Sequence, residues 1–276
     1  MVNELTPATG TRAPPQGSTI MSPRSLDAGR GASWWSEGWR LFTPSVGAWL
    51  LITIILVVIH LALAFVPFIG QLVSQIVFPV FVGGLMLGCR AIDRGNPLMV
   101  GHLFAGFSQR TGPLFVVGII YTALVFVIVL VVGALLAAFF GASVLSALLS
   151  AGGPDFSNFP FSSLVSAILV GALLFMALLL PLVMAVWFAP ALVVLGGLEA
   201  GAAMKASFNG CMRNIVPYLI YGLVGIVLAI VASIPFGLGW FILAPVTIAS
   251  IYTSYCDIFE EADTAVPGAP SAATAS

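Results

Sequence analysis

Few side chains in this sequence have the chemistry for a reaction in an apolar medium, and the first of them is a histidine. His60 lies inside a long stretch, residues 41 to 89, that contains no Asp, Glu, Lys or Arg. Burying an ionisable group in such a stretch is costly, which makes His60 a functional candidate. The alternative is structural, because a neutral imidazole that bonds to a neighbouring carbonyl is much cheaper to bury. No carboxylate lies at a comparable depth elsewhere, so the proton relay of a coupled pump is missing.

The three cysteines and the second histidine lack the spacing of a metal site. No CxxC or HxxxH pattern joins Cys89, Cys211, Cys256 or His102. We interpret the cysteines as small apolar residues at helix ends, and we expect neither a metal nor another cofactor. Nucleophile elbows, HExxH motifs and phosphate-binding glycine loops are also absent. We therefore predict no catalytic residues and no enzyme activity.

The remaining candidates are polar residues near the ends of uncharged stretches. Arg213, Asn214 and Asp257 are placed where an ion pair or a helix cap would clamp parts of the fold together, and solvated surface charge is the alternative. Gln71 and Gln75, with a serine between them, form a polar stripe. Hydrogen bonding between helices explains this stripe as well as a solute path does.

The composition identifies the medium that surrounds these residues. The chain has 276 residues, of which 60% are hydrophobic and 7% are charged, whereas a soluble domain carries about 25% charged residues. The formal net charge of −1 gives no basic surface for nucleic acid. The chain therefore belongs in a lipid bilayer. Lipid is the expected partner, another membrane protein is left open, and nucleic acid is excluded.

Uncharged stretches of about 20 residues predict membrane-spanning helices, and this chain has room for six. The predicted spans run from Gly47 to Val66, Gln71 to Gly88, about Pro113 to Gly141, about Leu164 to Gly197, Tyr218 to Ser233 and Leu238 to Cys256. The third and fourth exceed one bilayer crossing, so they must tilt, kink or leave the membrane. Pro181 and Pro190 can each bend the fourth.

The basic residues predict the orientation. With six spans, four of the nine Lys and Arg residues precede the first span, three lie between the second and third, and two lie between the fourth and fifth. All nine then fall on one side of the membrane, which is the cytoplasmic side by the positive-inside rule. Both termini are therefore predicted to be cytoplasmic.

The two ends of the chain differ in composition from the middle. Residues 1–33 are rich in Pro, Ser, Thr and Gly without the apolar run of a signal peptide. We predict a disordered cytoplasmic tail there, a six-helix transmembrane domain over residues 34–259, and a second disordered tail over residues 260–276.

Each predicted outward-going helix follows a short amphipathic stretch that ends in a basic residue and then a proline. The three apolar faces are Trp35, Trp39 and Phe42, with Arg40 four residues before Pro44; Val100, Phe104 and Phe107, with Arg110 three before Pro113; and Met204, Phe208 and Met212, with Arg213 four before Pro217. Helices of this kind suit the membrane interface, with the apolar side in the acyl boundary.

The returning helices also resemble one another. Each has a proline, at Pro79, Pro190 and Pro245, followed by small residues four apart. The small pairs are Gly84 with Gly88, Gly197 with Gly201, and Ser250 with Ser254. Small faces allow helix backbones to approach closely, although Gly and Pro are common in membrane helices anyway. We predict an all-α membrane protein of three same-orientation hairpins, each preceded by an amphipathic interfacial helix.

Three segments carry a resemblance to a known group of proteins. They are FAPALV (Phe188 to Val193), AAMKASFNGCMRN (Ala202 to Asn214) and SIYTSYCDIF (Ser250 to Phe259), the last with Tyr252, Tyr255, Asp257, Ile258 and Phe259. In these segments the chain resembles a family of uncharacterised, proteobacterial-type polytopic inner-membrane proteins with no assigned activity. The resemblance is strongest over the last third of the chain. It implies a bacterial inner-membrane location and this fold, and it implies no reaction or substrate.

Two main functions fit these observations. The first is a non-catalytic membrane-embedded scaffold or accessory module, which a solid, glycine-packed centre would favour. The second is a small-solute permease or lipid-handling protein, which a mid-membrane pocket lined by His60 and facing Pro181 or Pro190 would favour. A third, an interfacial lipid enzyme, would need Arg213, Asp257 and His102 in one cluster.

The predicted orientation is testable with reporter fusions. An alkaline-phosphatase fusion after Arg94 is expected to be inactive, because the enzyme requires export and this connection is predicted to be cytoplasmic. Activity of that fusion would contradict the topology, since a one-span error would distribute the basic residues over both sides.

Overall fold

The computed structural model describes residues 22–149 and 161–260. Within these residues all regular structure is helical, in ten α-helices and two short 3-10 turns. The helices are α1 (Arg30–Phe42), α2 (Val46–Ala64), α3 (Ile69–Asp93), α4 (Gly101–Phe104), α5 (Thr111–Leu148), α6 (Phe161–Trp187), α7 (Ala189–Val194), α8 (Ala200–Arg213), α9 (Ile215–Ser233) and α10 (Trp240–Phe259).

Six candidate membrane spans are present, which confirms the predicted number. Helices α2, α3, α5, α9 and α10 each match one predicted span, whereas the fourth predicted span is divided into α6 and α7 at Phe188. Helix α5 is continuous over 38 residues. At ~1.5 Å per residue it is about 57 Å long, nearly twice the ~30 Å thickness of a hydrocarbon core.

Helices α3 and α10 form the centre of the bundle. In their most apolar windows, 56% and 50% of the residues are buried, against 11% to 17% in the other four spans. The side chains of α2, α5, α6 and α9 are therefore mostly at the surface, where a bilayer replaces a protein core. Only two helices have to carry residues that suit close packing on every side.

Three short helices, α1, α4 and α8, pack on other helices of the bundle. Helix α4 and the 3-10 turn after it pack on α3, α8 packs on α6 and α7, and α1 packs on α9 and α10. Glycines make two of these contacts close. A Cβ at Gly38 would lie 2.8 Å from the carbonyl oxygen of Val246, and one at Gly106 would lie 2.0 Å from that of Val80. Side chains at these positions would hold the helices apart.

The apolar face of α1 corrects one expectation. Trp35 and Phe42 are 8% and 3% exposed, because this face packs against α9 and α10 rather than against lipid. Trp39 is 50% exposed and is the member of the predicted face that reaches the surface. An amphipathic pattern shows only that one side of a helix is apolar, and here protein covers most of it.

The predicted similarity of the returning helices holds only in part. Gly84 and Gly88 lie on α3, where an added Cβ would be 2.4 Å from the His102 carbonyl oxygen and 2.6 Å from a Leu98 methyl carbon, respectively. Gly197 and Gly201, by contrast, do not form a helix-packing pair. Helix α7 ends before them, Gly197 adopts φ +69° in the connection, and nothing lies within 4 Å of a Cβ at either position.

Parts of both predicted tails have structure. Residues 22–29, which we call the N-terminal strap, precede α1, and the Arg24 N–H donates to the Ile258 carbonyl oxygen at 2.9 Å. Glu260 forms an ion pair with Arg90. These contacts involve residues on both sides of the predicted limits of residues 34–259. Residues 1–21 and 261–276 of the predicted tails lie outside the described residues.

Replacing Gly106 by alanine tests the importance of close backbone contact. The new methyl group would meet the Val80 carbonyl at 2.0 Å, and overpacking of this kind costs about 1–3 kcal/mol. We expect Gly106→Ala to lower the melting temperature of the purified protein. Gly101→Ala is the matched control, because Gly101 is exposed on α4 with open space at its Cβ. Equal melting temperatures for the two variants would show that the contact is unimportant.

Candidate functional site

The side chain of Asn214 holds the N-terminal strap by bonding to the backbone of the strap. The side chain is fully buried where α8 meets α9. Its Oδ1 accepts from the Leu26 N–H at 2.9 Å, and its Nδ2 donates to the carbonyl oxygens of Arg24 at 2.8 Å and Gly210 at 2.9 Å. The amide thus pairs with the strap as a neighbouring strand would, and it satisfies backbone groups that belong to no helix.

Asp257 joins α1 to the end of α10. Its Oδ2 accepts from Arg30 Nε and from Trp34 Nε1, each at 2.8 Å. Arg30 also lies 2.9 Å from a carboxylate oxygen of Glu37, and Arg24 donates to the Asp257 carbonyl oxygen at 2.7 Å. Arg30 and Asp257 are about one-third and one-quarter exposed, so the ion pair is partly shielded from water.

The polar candidates of the sequence therefore meet different partners. Arg213 donates to the Pro23 carbonyl oxygen at 2.9 Å and holds the strap beside Asn214, whereas Asp257 holds α1. His102 is engaged elsewhere, because its Nδ1 accepts from the Met99 N–H at 3.0 Å and its side chain lies against Gly88. The cluster that an interfacial enzyme would need is not assembled among the described residues.

The cysteines are free thiols. Cys211 is buried on α8 with its sulfur 3.6 Å from the Met184 carbonyl oxygen, and burial raises the pKa of this thiol to about 12. It is therefore protonated at neutral pH and is a poor nucleophile. In the parts of the chain that the structure describes, no group of three or more His, Cys, Asp or Glu residues is arranged to hold a metal ion.

Two adjoining clefts lie beside the central helices. The first, of about 350 Å³, lies among α3, α5, α6, α7 and α10 and is lined in part by Gln75, Pro79, Tyr121, Trp187 and Pro190. The second, of about 520 Å³, lies among α2, α3 and α10 and is lined in part by Trp49, Thr53, His60, Trp240 and Pro245. Four residues of α3 and α10 line both: Phe78, Val82, Thr247 and Ile248. Their volumes are typical of small-molecule sites, which range over ~300–1,000 Å³.

His60 lines the second cleft in a defined tautomer. Its Nδ1 lies 2.8 Å from the Leu56 carbonyl oxygen. Because a carbonyl can only accept, Nδ1 carries a hydrogen, and with the ring in this tautomer Nε2 is an acceptor. Nε2 has no hydrogen-bond partner among the described residues. The ring also contacts Phe78 edge-on, with centroids 6.4 Å apart.

The pocket that was expected to face Pro181 or Pro190 is arranged differently. His60 shares its cleft with Pro245, and Pro190 lines the neighbouring cleft instead. Pro181 is exposed within α6, which continues through it. Of the predicted polar stripe, Gln75 lines the first cleft and Gln71 is exposed near the turn that precedes α3.

A buried hydroxyl that the sequence did not single out divides α6 from α7. Ser207 Oγ accepts from the Phe188 N–H at 2.9 Å and donates to the Met184 carbonyl oxygen at 2.7 Å. It thereby stands between two groups that would bond to each other in a continuous helix. Pro190 signals a bend nearby, but no local pattern pairs this bend with Ser207.

The turns before α3 and α10 share a feature that a search for dipeptides could have found. Each contains Pro-Phe, and Phe68 and Phe236 adopt φ of 60° and 53°, which is uncommon for bulky residues. Their side chains are 92% and 101% exposed. A third Pro-Phe, Pro160–Phe161, occurs in the sequence where α6 begins.

A comparison with known proteins points to a membrane protein, in agreement with the six candidate spans. A Burkholderia thailandensis protein described as a probable inner membrane protein is 26% identical over 218 residues, which cover 77% of each chain. This chain is a multi-pass membrane protein. The resemblance to bacterial inner-membrane proteins is thereby confirmed. No family model matches the chain. No solved structure matches it either.

The role of Asn214 is testable by limited proteolysis. Asn214→Ala removes the bonds that hold Arg24 and Leu26, so the strap is expected to loosen and trypsin to cleave after Arg24 several-fold faster. Asn209→Ala is the control, because Asn209 is exposed on α8. Unchanged cleavage of the Asn214 variant would mean that other contacts suffice to hold the strap.

Proposed function

We propose that this protein is a non-catalytic membrane module that holds a lipid-like molecule in the two adjoining clefts beside α10. The observation that carries the proposal is the shared wall of Phe78, Val82, Thr247 and Ile248, which places both clefts along the same two central helices. Lipid handling was the second of the functions that the sequence left open, and a cleft lined by His60 supports it.

The lining indicates an apolar occupant rather than a small polar solute. Polar side chains are few in the second cleft, and a polar solute there would lose hydrogen bonds to water that the walls do not replace. The rim opens to the side of the bundle, since Val57, Leu61 and Trp240 are 40%, 58% and 47% exposed. A lipid chain can therefore enter laterally from the bilayer.

The absence of catalysis is part of the proposal. Asn214 and Asp257 are engaged in bonds that position the strap and α1, and Cys211 is protonated. These interactions support a structural role for the most polar residues of the chain. No metal or other cofactor is required.

We also propose the finer topology, with both termini on the cytoplasmic side of a bacterial inner membrane. Arg24 and Arg30 of the N-terminal region meet Asp257 at the end of α10, and Arg90 at the end of α3 meets Glu260. These contacts bring the N-terminal region and two helix ends together, which fits an even number of crossings. The packing of α1, α4 and α8 on the long helices and the two Pro-Phe turns before α3 and α10 support our proposal of three same-orientation hairpins with amphipathic helices.

A scaffold or accessory module is the second candidate. The glycine contacts of α1 and α4 and the ion pair between Arg30 of α1 and Asp257 hold one end of the bundle together, as a docking surface for another membrane protein needs. This observation is compatible with lipid binding in the clefts, so the two functions differ in what accompanies the protein.

Gentle-detergent purification with lipid and protein mass spectrometry tests the proposal. One lipid class is expected to accompany the protein in near-stoichiometric amount. Ala244→Trp places a large side chain in the second cleft and is expected to reduce that lipid several-fold. Leu124→Trp, on an exposed position of α5, is the control and should retain it. Recovery of one protein partner without an enriched lipid would instead favour the scaffold.

A further inference from the structure

The polar side chains of the second cleft have all given their hydrogens to the protein itself. Thr53 donates to the Trp49 carbonyl oxygen at 2.9 Å, and Thr247 donates to that of Leu243 at 2.8 Å. His60 Nδ1–H donates to Leu56. The two indole N–H groups of the lining are also engaged, with the carbonyl oxygen of Leu41 at 3.4 Å for Trp49 and with Ser233 Oγ at 3.2 Å for Trp240.

What these groups have left is acceptor capacity. His60 Nε2 has a lone pair without a partner among the described residues, and each threonine hydroxyl that donates once can still accept. The described side chains that line the cleft therefore offer acceptors and no free donor. A ligand whose polar group only accepts, such as an ether, an ester or an ionised carboxylate or phosphate, would place lone pairs against lone pairs. A ligand with an O–H complements them.

We infer that the second cleft selects a membrane alcohol, an apolar chain whose polar group is a hydroxyl, and that His60 Nε2 accepts its hydrogen. This inference rests on the proposed function, because it names the class of molecule that the cleft holds. It also gives His60 a defined role as a specificity residue.

A pair of brominated probes that differ only in the hydrogen tests the inference. The full-length protein in nanodiscs is titrated with 9,10-dibromostearyl alcohol and with its methyl ether, and bromine quenching of Trp49 and Trp240 fluorescence reports occupancy. The alcohol is expected to bind about fivefold more tightly, as one net hydrogen bond predicts. A Trp49→Phe, Trp240→Phe double variant identifies the part of the signal that arises in the cleft.

Variants of the acceptor assign the preference to His60. His60→Phe keeps an aromatic ring without a lone pair and is expected to bind both probes equally, whereas His60→Gln retains an acceptor and should keep a preference for the alcohol. Thr122→Val is the matched control. Its hydroxyl makes the same local bond, to Gly118 at 2.8 Å, but the side chain lies on α5 and lines neither cleft.

The outcomes separate the inference from the proposed function. Absence of cleft quenching by both probes would overturn the proposed function and the inference together. Equal binding of alcohol and ether to the unmodified protein would overturn the inference alone. A fivefold preference that survives in His60→Phe would overturn the role of His60. A preference lost in His60→Phe and kept in Thr122→Val supports the inference.

Discussion

Helix backbones in a bilayer approach each other closely only where side chains are small, because lipid tails solvate apolar side chains as well as other helices do. This constraint accounts for both the tight and the open parts of the protein. Gly38, Gly84 and Gly106 bring short helices against α3 and α10 at backbone distances. The second cleft has no glycine among its lining residues, which include the large side chains of Trp49 and Trp240.

The polar end of the bundle solves a different problem. The strap has backbone groups that no helix satisfies. Asn214 supplies both a donor and acceptor to it, and Arg213 adds a donor. Two neighbouring side chains therefore satisfy several backbone groups of the strap. Asp257 acts similarly on α1, where one oxygen receives Arg30 and Trp34 together.

The spans were predictable because charge and hydropathy are local properties. Stretches without charged residues locate α2, α3, α5, α9 and α10 to within a few residues at most ends, although α5 continues past its predicted end.

Contacts between distant segments were not predictable. The spacing of Trp35 and Phe42 is the same whether lipid or protein covers these side chains. The spacing of Gly197 and Gly201 suggests a helical pair, and only the structure shows that α7 ends before Gly197. Ser207 acts on Phe188 from another helix. The clefts depend on three or more helices, so of their linings the sequence singled out only His60, Gln75 and three prolines, Pro79, Pro190 and Pro245.

The contact between α1 and α10 has a consequence for synthesis in the cell. Trp34 and Asp257 are 223 residues apart in the chain. At bacterial or eukaryotic elongation rates of ~5–20 residues per second, translation of the intervening segment takes about 10–45 s. During that interval the apolar face of α1 lacks its final partner, although α2 to α9 are already emerging. Newly made chains therefore pass through a stage in which α1 is present without its contacts to α10, and the N-terminal region reaches its final position only after α10 has been made.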